Sequence, residues 1–213
     1  MEHTPDIQHT SFTPKDTPVP HENPSHEKKE GLIGEIVRFS LVALLIVLPI
    51  RVFIAQPFIV SGASMETTFS TGQYLIVDQL TYHLEDPKRG DVIIFRYPKD
   101  PSKFFIKRVI GIPGDTVSIS GRDVTIINSE HPEGILLDES YILDMRPSAT
   151  MTETLGENEY FVMGDNRDAS SDSRAWGVLK RDNIVGRAFL RLFPLTTVGV
   201  FPGEHDITQE MQL

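Results

Sequence analysis

The chain has 213 residues, a formal net charge of −10 at pH 7 and no cysteine. This length fits one domain of ordinary size with appendages. The acidic balance argues against nucleic acid as a partner, because phosphate binding needs clustered Lys and Arg. The absence of Cys excludes disulfides, a thiolate nucleophile and a Cys-based zinc site.

Residues 1–31 are predicted to form a disordered tail. They are rich in Pro and in polar and charged residues, so they cannot bury enough apolar surface to offset the entropy of ordering. Four histidines lie here at irregular spacing, namely His3, His9, His21 and His26. That spacing favours a solvated linker over a metal-binding tail.

The composition then inverts, and residues 32–57 are predicted to be a single transmembrane helix. A helix over residues 32–55 would rise roughly 36 Å, against about 30 Å for the hydrocarbon core of a bilayer. Lys28, Lys29 and Arg38 flank its N-terminal side, whereas residues 61–80 hold no Lys or Arg. The positive-inside rule therefore predicts a cytoplasmic tail and an extracytoplasmic remainder. A cleaved signal peptide and a buried core helix are the alternatives, and the long polar extension and the segment's length disfavour them.

Residues 58–213 are predicted to form a mainly β domain of antiparallel sheets coiled on each other. Short β-branched or aromatic runs recur about every ten residues, and Gly- and Pro-containing turns separate them. The predicted strands lie within residues 74–77, 92–95, 104–110, 117–119, 124–127, 135–137, 160–163 and 184–193.

Two residues in this domain form a candidate catalytic pair. Ser64 follows the small residues Gly62 and Ala63, and Lys107 lies in an apolar run beside Arg108. A serine hydroxyl needs a base, and a lysine amine can take its proton once burial has lowered the lysine pKa. Strand alternation puts Lys107 and Arg108 on opposite faces, so one of them points inward. Taken singly, each segment also has a purely structural explanation. The Ser64 segment is typical of a juxtamembrane linker, and Lys107 is typical of a lysine on an edge strand.

A third cluster, residues 164–174, follows a predicted strand and is dense in Asp, Ser and Arg. Such a segment is typical of an exposed turn with Asx and Ser hydrogen bonds. It is equally compatible with a preorganised network in which Asp–Arg pairs fix a loop and a Ser hydroxyl orients the lysine amine.

Together the three clusters resemble the bacterial type I signal peptidases, membrane-anchored serine proteases with a Ser–Lys dyad. The resemblance covers about residues 33–193. It rests on Ser64-Met65 and on the runs 89–92, 107–115 and 164–174.

The resemblance implies a role for each matching residue. Ser64 would be the nucleophile and Lys107 the general base. Ser170 would hydrogen-bond the lysine amine, while Asp172 and Arg174 would brace the loop. The implied activity is removal of N-terminal signal peptides from exported preproteins with small residues at −1 and −3. The implied setting is the cell membrane and its lipid, with no cofactor and no metal.

Several positions depart from the family pattern. Thr67 stands where Pro is common, Phe69 where Leu is common, and Ala169 where Asn is common. Gly62 lacks a hydroxyl that assists the oxyanion hole in some members, so the donor would be chiefly the backbone N–H of Ser64.

Two other functions compete with this interpretation. One is a membrane-tethered β module that keeps the fold without activity, and loss of Ser64 or Lys107 would have marked it. The other is a self-cleaving regulatory protease like the SOS repressors, which would carry an N-terminal DNA-binding domain and no membrane segment. The presence of both dyad residues and the character of residues 1–60 favour the membrane enzyme.

The charge asymmetry around residues 32–57 predicts the orientation of the chain. Protease added outside spheroplasts should digest residues 58–213 and leave residues 1–31 intact, as followed by an epitope tag at each end. Digestion of the tail with protection of the β domain would reverse the orientation.

Overall fold

The computed structural model describes residues 31–49, 55–142, 148–205 and 207. The chain divides after Val42 into two compact units. The first prediction, a disordered tail over residues 1–31, lies outside the described residues except for Gly31.

Helix α1, Leu32–Pro49, begins where the sequence predicts a helix. Its described apolar side chains are largely exposed, as at Ile33 and Phe39. Within the described ranges, no helix has both the length and the apolar character needed to cross a membrane. The predicted helix end at residue 57 is wrong, because Ala55–Ile59 is a strand. This strand lies at the edge of its sheet, where Pro57, which has no N–H to donate, is tolerated.

In the rest of the described chain the regular secondary structure is mainly β. Its strands are β1 Ala55–Ile59, β2 Tyr74–Asp78, β3 Val92–Tyr97, β4 Asp100–Gly111, β5 Thr116–Gly121, β6 Asp123–Ile127, β7 Ile135–Leu136, β8 Ser148–Thr154, β9 Glu159–Met163, β10 Leu179–Lys180, β11 Ile184–Phe193 and β12 Gly199–Val200. Two four-residue helices, α2 Thr81–Leu84 and α3 Ser173–Trp176, interrupt them.

The strands form two sheets. The larger has the order β1-β2-β11-β3-β4-β9-β10, with β12 on β11, and the smaller has the order β7-β6-β5-β8. Every pairing is antiparallel. The prediction of a mainly antiparallel β domain is therefore confirmed.

The larger sheet is buried on both faces around β3. Val92 and Ile94 belong to one apolar core, while Ile93 and Phe95 belong to another. Side chains alternate across a strand, so this uninterrupted apolar run serves two cores at once. The first core lies under the loop that carries Ser64, and this arrangement anchors that loop to the sheet.

A buried aspartate joins the two sheets. Asp115, which is 1% exposed, precedes β5 and accepts hydrogen bonds from Arg89 at 2.8 Å and from Asn128 at 2.9 Å. It also accepts the backbone N–H of Ile112, while Arg89 donates to the carbonyl of Ile110. The motif residues Arg89 and Asp115 therefore hold β4 in position where the chain leaves the larger sheet.

Replacing this aspartate should destabilise the fold. Asp115→Ala leaves the Arg89 guanidinium buried without its partner, and we expect the free energy of unfolding to fall by about 3 kcal/mol. Urea unfolding measures the loss, with Asp123→Ala, an exposed site at the start of β6, as the matched control. Equal stability of the two variants would contradict this role of Asp115.

Candidate active site

The loop after β1 presents Ser64. The neighbouring side chains of Met65 and Phe69 are 1% and 0% exposed, and the Phe69 N–H donates to the Met65 carbonyl at 2.7 Å. The Ser64 carbonyl accepts the N–H of Asn166 at 3.0 Å. Apolar burial on one side of Ser64 and a backbone hydrogen bond on the other hold its position.

Lys107 comes from β4, where it lies opposite Ile93 of β3. The residue is 3% exposed, and its Nζ lies 2.6 Å from the Ser64 Oγ. The amine also donates to the Ile106 carbonyl at 2.9 Å and lies 5.4 Å from the centre of the Phe105 ring. No carboxylate of the described residues forms a salt bridge with it.

Burial lowers the pKa of the Lys107 amine to about 8. Negative charge on Asp172 and Asp165 acts in the opposite direction and raises that pKa. Desolvation is the larger effect, because it penalises the ammonium form of a lysine that has no direct counter-ion. The amine can therefore lose its proton in the range where a general base is useful.

The loop at residues 164–174 contains the predicted Asp172–Arg174 pair. Arg174 donates to both carboxylate oxygens at 2.8 Å, and Asp172 also accepts the Gly164 N–H at 3.0 Å. Burial by itself would raise the pKa of the Asp172 carboxyl, but the charge and hydrogen bonds of Arg174 hold it below its ordinary value. The carboxylate stays ionised and ties the end of β9 to α3.

Ser170 is close to the site but does not form the predicted hydrogen bond to Lys107. Its buried Oγ has no hydrogen-bond partner in the part of the chain that the structure describes. The hydroxyl is near enough to Asp172 to contribute to the low pKa of that carboxyl, yet its geometry falls short of a hydrogen bond. The side chain packs against Gly164, where an added Cβ would lie 2.3 Å from the Ser170 Oγ.

A second buried ion pair lies beside Lys107, and the sequence pattern alone indicates no role for it. Arg108 is 0% exposed and donates from Nε and Nη2 to Asp165 at 2.9 and 2.6 Å. The Thr68 hydroxyl donates to the same carboxylate at 2.6 Å. Both Lys107 and Arg108 point inward, so alternation puts them into two different buried environments. In the sequence, this ion pair is signalled only by the arginine directly after Lys107 and by Asp165 in the third cluster.

An open groove of about 490 Å³ runs past the pair. Ser64 and Lys107 line it together with apolar residues from β1, β2, β3 and β4 and the loop after β1. Those apolar residues include Phe58, Val60, Ala63, Leu75, Ile94 and Ile106. The groove has the size of a site for a short peptide segment or a small molecule.

Comparisons with known proteins identify the family of this chain. The sequence model of the family described as signal peptidase, peptidase S26, matches residues 33–193. Signal peptidase I of Leptolyngbya laminosa is 34% identical over 196 residues, which cover 86% of this chain and 94% of that protein. Probable signal peptidase I-1 of Synechocystis is 36% identical over 174 residues, covering 78% and 86%.

Two further comparisons are with proteins of Bacillus licheniformis and Enterococcus faecalis. Signal peptidase I of Bacillus licheniformis is 33% identical over 188 residues, covering 83% of this chain and 97% of that protein. A crystal structure of a signal peptidase I from Enterococcus faecalis is 30% identical, has a TM-score of 0.42, and covers 48% of this chain and 97% of that chain. The chain therefore belongs to the signal peptidase family, peptidase S26, and is a serine endopeptidase that removes signal peptides.

Proposed function

We propose that Ser64 is the nucleophile with which this signal peptidase cleaves exported preproteins, and that Lys107 is its general base. The observation that carries the proposal is the 2.6 Å distance between the Ser64 Oγ and the Nζ of a lysine that is 3% exposed. A buried amine without a salt bridge supplies the neutral nitrogen that a serine nucleophile needs.

The reaction follows the general course of acyl transfer. The neutral Lys107 amine takes the Ser64 proton as Oγ attacks the scissile carbonyl, and it then gives that proton to the leaving amine. The Gly62 N–H donates to the Thr71 Oγ1 at 3.0 Å, so it is already engaged. The Ser64 N–H is the proposed donor to the oxyanion. In the second half, Lys107 takes a proton from a water molecule as that water attacks the acyl carbonyl, and it gives the proton to the departing Ser64 Oγ, which restores the free enzyme.

The substrate preference and the setting are also proposals. Preproteins with small residues at −1 and −3 would lie along the groove, and its apolar lining near Ala63 and Ile106 supports small apolar side chains there. The apolar segment that begins at residue 32 would anchor the enzyme in membrane lipid with the N-terminus in the cytoplasm. The charges Lys28 and Lys29 before that segment support this orientation.

Supporting roles are proposed for three residues of the loop at 164–174. Asp172 and Arg174 brace the loop through their ion pair. Ser170 would orient the lysine amine when the substrate is bound, since its Oγ is buried beside the Ser64 main chain and has no other partner among the described residues.

The decisive variants are those of the proposed dyad. Purified enzyme and a labelled preprotein should show that Ser64→Ala, Lys107→Ala and Lys107→Arg each lose about 10³-fold or more in kcat/KM. The arginine fails because its guanidinium keeps its proton in a protein. Lys88→Arg, at a lysine with a 76% exposed side chain, is the matched control and should cleave normally. Substantial turnover by Lys107→Arg would rule Lys107 out as the base.

The pH dependence of the native enzyme provides a separate prediction. Only the neutral amine is active, so kcat/KM should rise with pH and level off above an apparent pKa of about 8. Initial rates on a preprotein between pH 6 and pH 10 measure this limb. A rise centred near 10.5, the ordinary value for lysine, would contradict the depressed pKa.

A further inference from the structure

Tyr141 is a buried tyrosine outside the groove, between β7 and β8, and it is 7% exposed. The Arg108 guanidinium lies over its ring, 4.2 Å from the ring centre. The His205 ring stacks on it at 5.2 Å with an angle of 27° between the planes. A guanidinium over a tyrosine face is a favourable and directional contact, especially when it is desolvated.

The Tyr141 hydroxyl contacts a second arginine. Arg167 donates from Nη2 to this hydroxyl at 3.3 Å, and the hydroxyl donates to Glu139 at 3.2 Å. Arg167 also forms a buried ion pair with Glu139 and donates from Nε to the Gly164 carbonyl at 3.1 Å. One tyrosine therefore touches the arginine next to Lys107 and the arginine inside the loop at 164–174.

These contacts continue to the reacting groups. Arg108 holds the Asp165 carboxylate, which accepts the hydroxyl of Thr68 in the loop that carries Ser64. Asn166, the residue after Asp165, donates its N–H to the Ser64 carbonyl. A shift of Arg108 would therefore reach both Lys107, through the chain, and the Ser64 loop, through Asp165.

We propose that Tyr141 is a positioning residue for the Ser64–Lys107 pair, acting through Arg108 and Arg167. This inference rests on the function proposed above. Tyr141 does not line the groove, so its effect is on the geometry and electrostatics of the pair and not on substrate contact.

A C-terminal segment, residues 199–205 and 207, belongs to the same set of contacts. It lies beyond residue 193, where the family match ends. The Gly203 carbonyl accepts Arg108 Nη1 at 2.6 Å, and His205 supplies the ring on Tyr141. Ile207, which is 1% exposed, anchors the segment in the core of the smaller sheet. This segment therefore restricts the positions of Arg108 and Tyr141, although it is not part of the sequence motifs.

The electrostatics around the base provide a readout specific to positioning. The charged groups that face Lys107 are Asp172 and Asp165, and both act to raise its pKa. Arg174 balances the first and Arg108 the second. A loosened Arg108 leaves the Asp165 charge less compensated, so the pKa of Lys107 rises and more of the amine is protonated.

The groups that face Tyr141 are Arg108, Arg167, Glu139, Asp165 and His205. Substitution of the tyrosine changes none of these charges. Any movement of the pH profile in a Tyr141 variant would therefore report altered placement of the charges.

The test compares Tyr141→Leu with Tyr141→Phe in the full-length enzyme acting on a preprotein. We expect Tyr141→Leu to lower kcat roughly tenfold with KM within about twofold. We also expect it to move the acid limb of kcat/KM up by about half a pH unit. Tyr141→Phe keeps the ring on Arg108 and should retain at least about half of kcat. Loss in Tyr141→Phe equal to that in Tyr141→Leu would overturn the role of the ring.

Leu137→Ala is the matched stability control, since Leu137 is 5% exposed in the same connection and contributes only apolar packing to the core. It should lower Tm while leaving kcat and the acid limb in place. A Tyr141→Leu enzyme that loses Tm but keeps native kcat and an unmoved limb overturns the inference, while inactive Ser64→Ala would still support the proposed function.

His205→Ala gives a second measurement if Tyr141→Leu does not fold. His205 is exposed, so the variant should fold. We expect the acid limb of kcat/KM to move to higher pH, as in Tyr141→Leu, and kcat to fall roughly two- to threefold. Native kinetics in His205→Ala would overturn the part assigned to the C-terminal segment.

Discussion

The rest of the site depends on one constraint, the burial of Lys107 without a carboxylate in contact with it. Burial penalises the ammonium form and lowers the pKa of the amine to about 8, so the neutral form, which is the proposed acceptor of the Ser64 proton, becomes accessible. Strand β4 supplies the rigid support, because its register against β3 puts Lys107 opposite Ile93 and directs its side chain to the Ser64 loop.

Negative charge close to this amine has to be controlled. Asp165 and Asp172 are both nearly inaccessible to solvent, and each is held by an arginine, Arg108 and Arg174 respectively. Buried ion pairs of this kind contribute little net stability, because desolvation offsets the attraction. Their value here is geometric, because each pair connects distant parts of the chain at the site. Loss of either arginine would both leave a buried carboxylate without its partner and alter the pKa of Lys107.

Much of this could be predicted from the sequence. The strands that carry continuous apolar or β-branched runs, such as β3 and β9, lie where the pattern indicates them, and Ser64, Lys107, Asp172 and Arg174 come together. Two edge strands, β1 and β8, were not predicted. Strand β1 continues an apolar run that also suits a helix, and β8 is rich in Thr and lacks an apolar run. Only pairing with a neighbouring strand decides such segments, and that depends on the rest of the fold.

The side-chain network was less predictable than the dyad. Ser170 lies beside the site, but the packing of Gly164 and Ser64 determines where its hydroxyl points, and no local pattern contains that information. Tyr141 and Gly203 meet Arg108 across long stretches of sequence, outside any motif. Contacts of this kind join segments that are distant in the sequence, whereas each motif is one continuous segment.

The central claim is that burial lowers the pKa of the Lys107 amine to about 8, far enough for its neutral form to act as the proposed base. The most direct measurement is an NMR titration of enzyme carrying lysine labelled with ¹³C at Cε, with the Lys107 signal assigned by its loss in the Lys107→Arg variant. We predict that this signal titrates with a pKa of about 8, well below the ordinary lysine value of 10.5. A Lys107 signal that titrates near 10.5 would contradict the claim.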